Sequence, residues 1–374
     1  MTLELQNVRR EVKGAVHIRD VSLTLERGSL NVLLGATLAG KTSLMRLMAG
    51  LDAPTSGRVI ANGQDVTGLS VKKRSVAMVY QQFINYPALT VYENIASPLR
   101  VQGLPKAEIE ERVASAARLL KLEPYLQRTP LALSGGQQQR TAIARALVKR
   151  ADLVLLDEPL ANLDYKLREE LREELPRIFA STGAVFVYAT TEPTEALLLG
   201  GSTATLMQGA VTQFGPTAEV YRRPTDLATA RVFSDPPLNT LRVTKSGATV
   251  RLENGTTVAA IGAFAGVADG AYVIGVRAHH LAVEDRTFGE AARGESGLIR
   301  LAAAIAVTEV TGSESFLHMD VIGEAGGKER LTALVPGVRR LEPEAEVEVV
   351  IDPRHILLFD ASGRSTGTAL DAAA

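Results

Sequence analysis

Short apolar runs with strand character recur along the first two thirds of the chain: NVLL at 31–34, VAMVY at 76–80, LVLL at 153–156 and VFVYA at 185–189. Segments of helical period separate them, and strands alternating with helices predict a mostly parallel α/β sheet. The stretch from about 88 to 150 breaks that rhythm and reads as helix throughout. Thr90-x-x-Glu93 has the form of a capping box, and Ile109, Val113, Ala116 and Leu120 repeat at helical spacing behind Pro105. A helical lobe attached to the sheet is expected.

Past the proline pair at 236–237 the texture changes to short alternating runs punctuated by turns. Asn254-Gly255 is a type I′ hairpin signal and Gly326-Gly327 a second turn. The reading is an α/β domain over 1–238 and a small β-barrel over 239–374, with 362–374 as a mobile tail and no internal repeat.

Composition narrows the classes. The 374 residues exceed what one core usually supports, in keeping with two domains. Lys plus Arg total 41 against 42 Asp plus Glu, a formal net charge of -1, which excludes a basic nucleic-acid or membrane footprint as the dominant feature. The absence of cysteine excludes a disulfide scaffold, a thiolate metal site and a cysteine nucleophile. No apolar run reaches the ~18 residues of a membrane span, and the first ten residues alternate like a strand instead of opening a signal peptide; a cytoplasmic chain is expected.

Two motifs carry chemistry. GATLAGKT at 35–42 (Gly35, Ala36, Thr37, Leu38, Ala39, Gly40, Lys41, Thr42), with Ser43 next, follows a strand and precedes a helical apolar period, the context a G-x-x-x-x-G-K-[ST] phosphate loop requires. Gly35 and Gly40 let the backbone curl so that successive N–H groups face a phosphate, and the helix N-terminus adds its dipole. Lys41 is expected on the outer phosphates and Thr42 on Mg²⁺. LVLLDEP at 153–159 delivers Asp157 and Glu158 at the carboxyl edge of a strand, where α/β sheets bind ligands. Alone, such a pair is as often a helix N-cap. Beside a phosphate loop it suggests nucleotide hydrolysis, with Asp157 serving Mg²⁺ and Glu158 polarising water.

Between these motifs lies LSGGQQQR at 133–140, and with it the sequence resembles the ATP-binding-cassette ATPases. Gln81 stands at the position of that family's Q-loop glutamine and Asp164, in LANLD, at that of its D-loop. The resemblance implies ATP and Mg²⁺ as cofactors, with Gln81 as a further Mg²⁺ ligand. It implies that two cassettes close head to tail, so that Ser134, Gly135, Gly136 and Gln137 act on the partner's nucleotide. The segment at 209–239 and the stretches IGVRAHHL and TEVTGSESFLHMDV resemble the connector and OB-type regulatory barrel of carbohydrate importers. By that resemblance two integral-membrane permease subunits dock near Phe83-Ile84-Asn85-Tyr86-Pro87, an extracytoplasmic solute-binding protein completes the system, and no nucleic acid is involved. The chain is then peripheral, on the cytoplasmic face of the inner membrane. A helical-lobe core contact is the alternative role for 83–87.

Two positions depart from the family pattern. Its switch histidine aligns on Thr191, and none of the five histidines lies within 80 residues of it. Threonine donates a hydrogen bond but cannot become cationic, and loss of one preorganised donor slows a reaction by about 10² to 10³. The aromatic on which the family stacks adenine aligns on Val12, and the first Phe, Tyr or Trp is Tyr80. Base stacking contributes roughly 1 to 3 kcal/mol. His17 is a candidate substitute, set against the simpler role of a solvent-facing strand residue. These departures suggest a heterodimer with a second, complete ATPase subunit; a homodimer in which Thr191 suffices is the alternative. The layout is similar to glycerol importers, while an ion or polyamine importer, a hydrolysis-impaired regulatory subunit and a soluble cassette ATPase of translation or DNA repair are the rivals.

Overall fold

The computed structural model describes all residues except Phe83, Asn162, 286–296, 324–328 and 369–374. The chain divides into two compact units, Met1–Ala218 and Glu219–Ala374, a division that falls ahead of the proline pair at 236–237.

The first unit opens with an antiparallel sheet that the apolar runs alone do not reveal. Its strands β1 (Leu3–Val12), β2 (Ala15–Leu25), β4 (Ser56–Ala61) and β5 (Gln64–Asp65) lie in the order β2-β1-β4-β5. Lys13 and Gly14, both at positive φ, form the two-residue β1–β2 turn. The expected sheet is present as six strands, β3 (Leu30–Leu34), β6 (Val76–Val79), β7 (Leu153–Asp157), β8 (Val185–Thr190), β9 (Ser202–Met207) and β10 (Ala210–Pro216). They run in the order β10-β9-β3-β8-β7-β6, parallel except for β10. Every residue of β7 and β8 is buried, which is why those runs read as continuously apolar.

Helix α1 (Lys41–Ala49) follows β3 and buries Leu44, Leu47 and Met48 in a core shared with Leu5 and Val8 of the first sheet and Leu155 and Val187 of the second. Core packing on two sides thus fixes the loop between β3 and α1. The helical lobe comprises α2 (Val91–Val101), α3 (Lys106–Leu119) and α4 (Gly135–Val148). Thr90 and Glu93 form the expected capping box, and Ile109, Val113, Ala116 and Leu120 are buried as their spacing requires.

Under β8 lies a buried polar network. Thr190 donates to Glu195 Oε2 at 2.6 Å and Tyr188 donates to the same oxygen at 3.2 Å, while Arg172 holds Oε1 at 3.1 Å. Burial, with Glu195 alongside, pushes the Tyr188 hydroxyl well above its ordinary range, so it stays a donor. The network anchors the carboxyl end of β8, on helices α5 (Tyr165–Thr182) and α6 (Pro193–Leu199).

Among the described residues the second unit is built mainly of strands. Strands β11 (Asn239–Ser246), β12 (Thr249–Leu252), β13 (Thr257–Ala259), β14 (Gly270–Val276), β20 (Leu357–Asp360) and β21 (Ser365–Thr368) form one sheet in the order β13-β12-β11-β14-β20-β21. The other, β15 (Leu281–Asp285), β16 (Ile299–Val310), β17 (Glu314–Val321), β18 (Arg330–Pro336) and β19 (Glu346–Ile351), runs β15-β19-β16-β17-β18, and one apolar core joins the two.

Two local expectations change here. Gly255 N donates to Leu252 O and only Gly255 of the Asn254-Gly255 pair is at positive φ; the hairpin therefore turns through a longer loop than type I′. Part of the segment expected to be a tail is ordered, because β21 pairs with β20; Gly326-Gly327 and 369–374 lie outside the described residues. His279 and His280 sit on a short 3₁₀ turn, and His280 stacks on His355 at 4.0 Å. Burial, then His279, His355 and Arg277, lowers His280 to about 3, so the ring stays neutral. Among the described residues no cluster of His, Asp and Glu is arranged to hold a metal by itself.

Candidate nucleotide site

Parallel pairing brings the two motifs together. β8 lies between β3 and β7. Its carboxyl end receives Gly35 N on Thr190 O at 3.3 Å and Glu158 N on Ala189 O at 3.0 Å. The phosphate loop and the acidic pair are thus held by adjacent carbonyls of one strand. Thr42 donates to Asp157 Oδ2 at 2.7 Å, Lys41 Nζ stands 3.5 Å from Glu158 Oε1, and Gln81 Nε2 donates to Glu158 Oε2 at 3.0 Å.

Lys41, Thr42, Gln81 and Glu158 line a cleft of about 680 Å³ together with Thr37, Leu38, Gly40 and Ser43, and Asp157 is buried beside it, bonded to Thr42. Gly40 has φ of 109°, and a Cβ there would lie 3.2 Å from both Gly209 Cα and His17 O, so conformation and space both demand glycine. Gly35 needs glycine for space: its Cβ would meet Leu206 O at 2.5 Å. Ala36 accepts from Lys41 Nζ at 3.2 Å and Gly35 at 2.7 Å, while Ala39 closes the turn onto Ala36 O.

Charge in the site is desolvated. Lys41 is 5% exposed, and burial lowers its ammonium from the usual lysine range against the opposing pull of Glu158. Asp157 is 2% exposed, and burial raises its carboxyl even though Thr42 donates to it. Its ionised form is therefore disfavoured by folding: it subtracts from stability at neutral pH, and the penalty disappears as pH falls through the raised value. Asp157→Asn keeps the acceptor for Thr42 and removes the charge. The nucleotide-free variant is expected to unfold about 2–4 °C higher at pH 7, with the gap closing toward acid pH, as thermal melts across a pH series will read.

The other wall of the cleft comes from distant segments. Ala15, Val16, His17 and Arg19 of β2 and Gln208-Gly209 of the β9–β10 turn line it, with Arg19 Nε donating to Gln208 O at 3.0 Å. His17 is exposed there, as a stacking surface must be. Val12 is not part of the lining: it ends β1 opposite Ala15, across the hairpin turn. Arg19, Gln208 and Gly209 escaped sequence reasoning because a β-turn 189 residues downstream supplies the partner.

Ser134, Gly135, Gly136 and Gln137 do not line this cleft. Ser134 is the N-cap of α4, closed by a capping box with Gln137. Gln139, buried one turn further on, donates to Pro159 O at 2.5 Å and ties that helix to the acidic loop; nothing in the run QQQR singles it out. Asp164 caps α5 through Leu167 N, and Thr191 is exposed one residue beyond β8; neither lines the cleft. Of 83–87, Phe83 lies outside the described residues. Ile84 and Tyr86 are exposed, and Tyr86 shares with Met78, Leu89, Val101, Arg145 and Lys149 a second cleft, of about 450 Å³, between β6 and the helical lobe. Asn85 donates to Gln138 O at 2.9 Å, so the segment also makes the contact with the lobe.

A family model described as ABC transporter matches residues 18–161. The sn-glycerol-3-phosphate import ATP-binding protein UgpC of Rhizobium meliloti (strain 1021) is 35% identical over 97% of this chain and 99% of its own. The chain belongs to the ABC transporter ATPases. The relatives of this ABC ATPase are of the sugar-importer type. They include the trehalose/maltose import ATP-binding protein MalK of Thermococcus litoralis, 33% identical over 94% of this chain and 95% of the relative. Among solved structures, the dimeric post-hydrolysis state of the ATP-binding cassette MJ0796 bound to ADP and Pi aligns with TM-score 0.54 and 28% identity, over 57% of this chain and 98% of that one. As an ABC ATPase the chain binds nucleotide, and among its described residues no helix is long and apolar enough to cross a membrane.

Proposed function

We propose that this ATPase powers solute uptake by closing on a second cassette around ATP. One observation carries the reading: Lys41, Thr42 and Glu158 line one cleft with Asp157 bonded to Thr42 beside it, while Ser134 to Gln137 stand capped on a separate helix and do not line it. Each half lacks what the other displays, so a facing cassette supplies the signature to this site and receives it in return.

The loop amides and Lys41 take the phosphates. The oxygen donors Thr42 and Asp157, with the Gln81 carboxamide beside them, suit Mg²⁺, a hard cation that is usually held by few carboxylates together with nucleotide phosphates. That preference accords with the lack of a protein-only cage among the described residues. Bound Mg²⁺ neutralises charge developing on the phosphates. Glu158, held by Gln81, orients the attacking water and accepts its proton. His17 stacks on the base in place of a Phe, Tyr or Trp. Asp164 lies at the seam, as its D-loop position implies.

Thr191 at the switch position favours pairing with a second, complete ATPase subunit. The 450 Å³ cleft beside Ile84, Tyr86 and Pro87 receives an apolar helix from an integral-membrane permease subunit, and the two permease subunits of the importer hold the paired cassettes at the cytoplasmic face of the inner membrane. The second unit is an OB-type regulatory barrel. The solute is a carbohydrate or polyol, delivered by an extracytoplasmic binding protein; relatives named for glycerol 3-phosphate and for trehalose and maltose support that class.

Affinity purification of this chain from mild-detergent extracts of its host is expected to bring down two integral-membrane subunits and a second cassette. Recovery of ribosomal or DNA-repair components in their place overturns the importer reading, and recovery of the membrane subunits with two copies of this chain overturns the heterodimer.

A further inference from the structure

The phosphate loop carries a residue that its geometry disfavours. Ala39 N donates to Ala36 O at 3.0 Å, closing a four-residue turn in which Leu38 stands third with φ of 68°. Positive φ at that position is the type II pattern, which selects glycine because a Cβ crowds the backbone there. Among the described residues Leu38 is the one apolar side chain at positive φ. It is also 96% exposed, at the rim of the cleft that holds Lys41 and Glu158. Strained backbone and bare hydrocarbon are both unfavourable in the free chain. Such features persist where another contact offsets them.

The nucleotide of the same loop is a poor candidate for that contact. Phosphate loops bind through backbone amides, and a side chain so exposed is not folded back onto the cleft wall with Val16 and His17. A matching surface stands at the start of α4. Gly135 and Gly136 present no side chains, and Leu131, three residues before Ser134, is 85% exposed. A cassette built like this one therefore offers a bare backbone ledge with an exposed leucine beside it.

We infer that Leu38 is an apolar peg that packs on the signature segment of the facing cassette when the two close on ATP. The inference rests on the two-cassette reading above and adds a contact that depends on this side chain and not on the nucleotide. Leu38 is a positioning residue: it touches neither the reacting phosphate nor the water.

The test uses the importer assembly isolated through a tag on this chain, so that the facing cassette is present. It carries Glu158→Gln together with silencing of the facing cassette's own acidic residue, so that hydrolysis is arrested at both sites, and closure is followed by energy transfer between labels on the two cassettes. Leu38→Ala keeps the strained turn and removes most of the peg; burial of a leucine predicts that half-maximal closure will need about 10- to 100-fold more ATP. ATP affinity of the isolated chain is measured alongside, so that a loss of closure larger than any loss of nucleotide binding is assigned to the peg. Leu38→Gly gives a similar loss of closure but raises the unfolding temperature of the isolated chain, since the strain is relieved. A purely structural role moves only the melt.

Unchanged closure in Leu38→Ala overturns the peg alone. A matching fall in ATP affinity of the isolated chain assigns Leu38 to its own nucleotide and likewise overturns it. If the Glu158→Gln assembly with Leu38 intact fails to close with ATP, the two-cassette reading falls first and the peg falls with it.

Discussion

Glu158→Gln is expected to lower ATP turnover by about 10² to 10⁴-fold while ATP still binds. Glutamine preserves the shape of the side chain and can still accept from Gln81 Nε2, now 3.0 Å from Glu158 Oε2, so the site should remain assembled. What is lost is the base. A carboxylate accepts the proton of an attacking water; a carboxamide cannot. Charge sets the binding side of the result. Glu158 Oε1 lies 3.5 Å from Lys41 Nζ, and a negative group beside incoming phosphates opposes them, so its removal leaves ATP affinity equal or tighter. Turnover by phosphate release and affinity by equilibrium titration test the two halves separately. Residual turnover within tenfold of the unmodified chain removes Glu158 from the catalytic role.

Thr191→His is expected to act in the opposite direction, raising turnover of the site on this chain's own phosphate loop by about 10² to 10³-fold. The position is well defined. Gly35 N donates to Thr190 O, and Leu34 pairs with Thr190 in register, so residue 191 emerges from the sheet edge beside the start of the phosphate loop. The network of Tyr188, Glu195 and Arg172 holds β8 from below, which leaves an exposed residue 191 free to change without disturbing the core. Histidine reaches further than threonine and can carry positive charge near pH 6.5, so the gain should depend on pH where that of Thr191 does not. The measurement belongs in the assembled importer, with the facing cassette's own hydrolysis silenced at its acidic residue. If turnover fails to rise, the absent histidine is not what limits this site.

The chemistry of the site was legible because its residues lie in short runs. Gly35 to Thr42 and Asp157-Glu158 each hang from an apolar strand, and strand, loop and helix follow one another within a dozen residues. The capping residue Thr90 was legible for the same reason: a cap bonds three residues ahead. Relations closed by the fold were not. Val12, which aligns with the family's base-stacking position in the loop after the first strand, ends β1 opposite Ala15, and the cleft takes part of its lining from Gln208-Gly209 in the β9–β10 turn of the other sheet. The antiparallel sheet of β1, β2, β4 and β5 was missed because its strands are half-exposed and lack the continuous apolar run that marks β7 and β8.

Period and motif, which are local, determined on their own that this chain alternates strand with helix, that Thr90 caps one, and that it carries a phosphate loop, an acidic pair and a signature between them. Tertiary structure alone decided that adjacent carbonyls of β8 hold the loop and the acids together, that Asp157 and Lys41 are desolvated, and that Leu38 stands strained and bare at the rim. The reason is physical. A residue's spacing fixes which face of its own element it occupies, but burial, charge environment and backbone strain depend on what packs against that face, and those neighbours are supplied by segments remote in sequence.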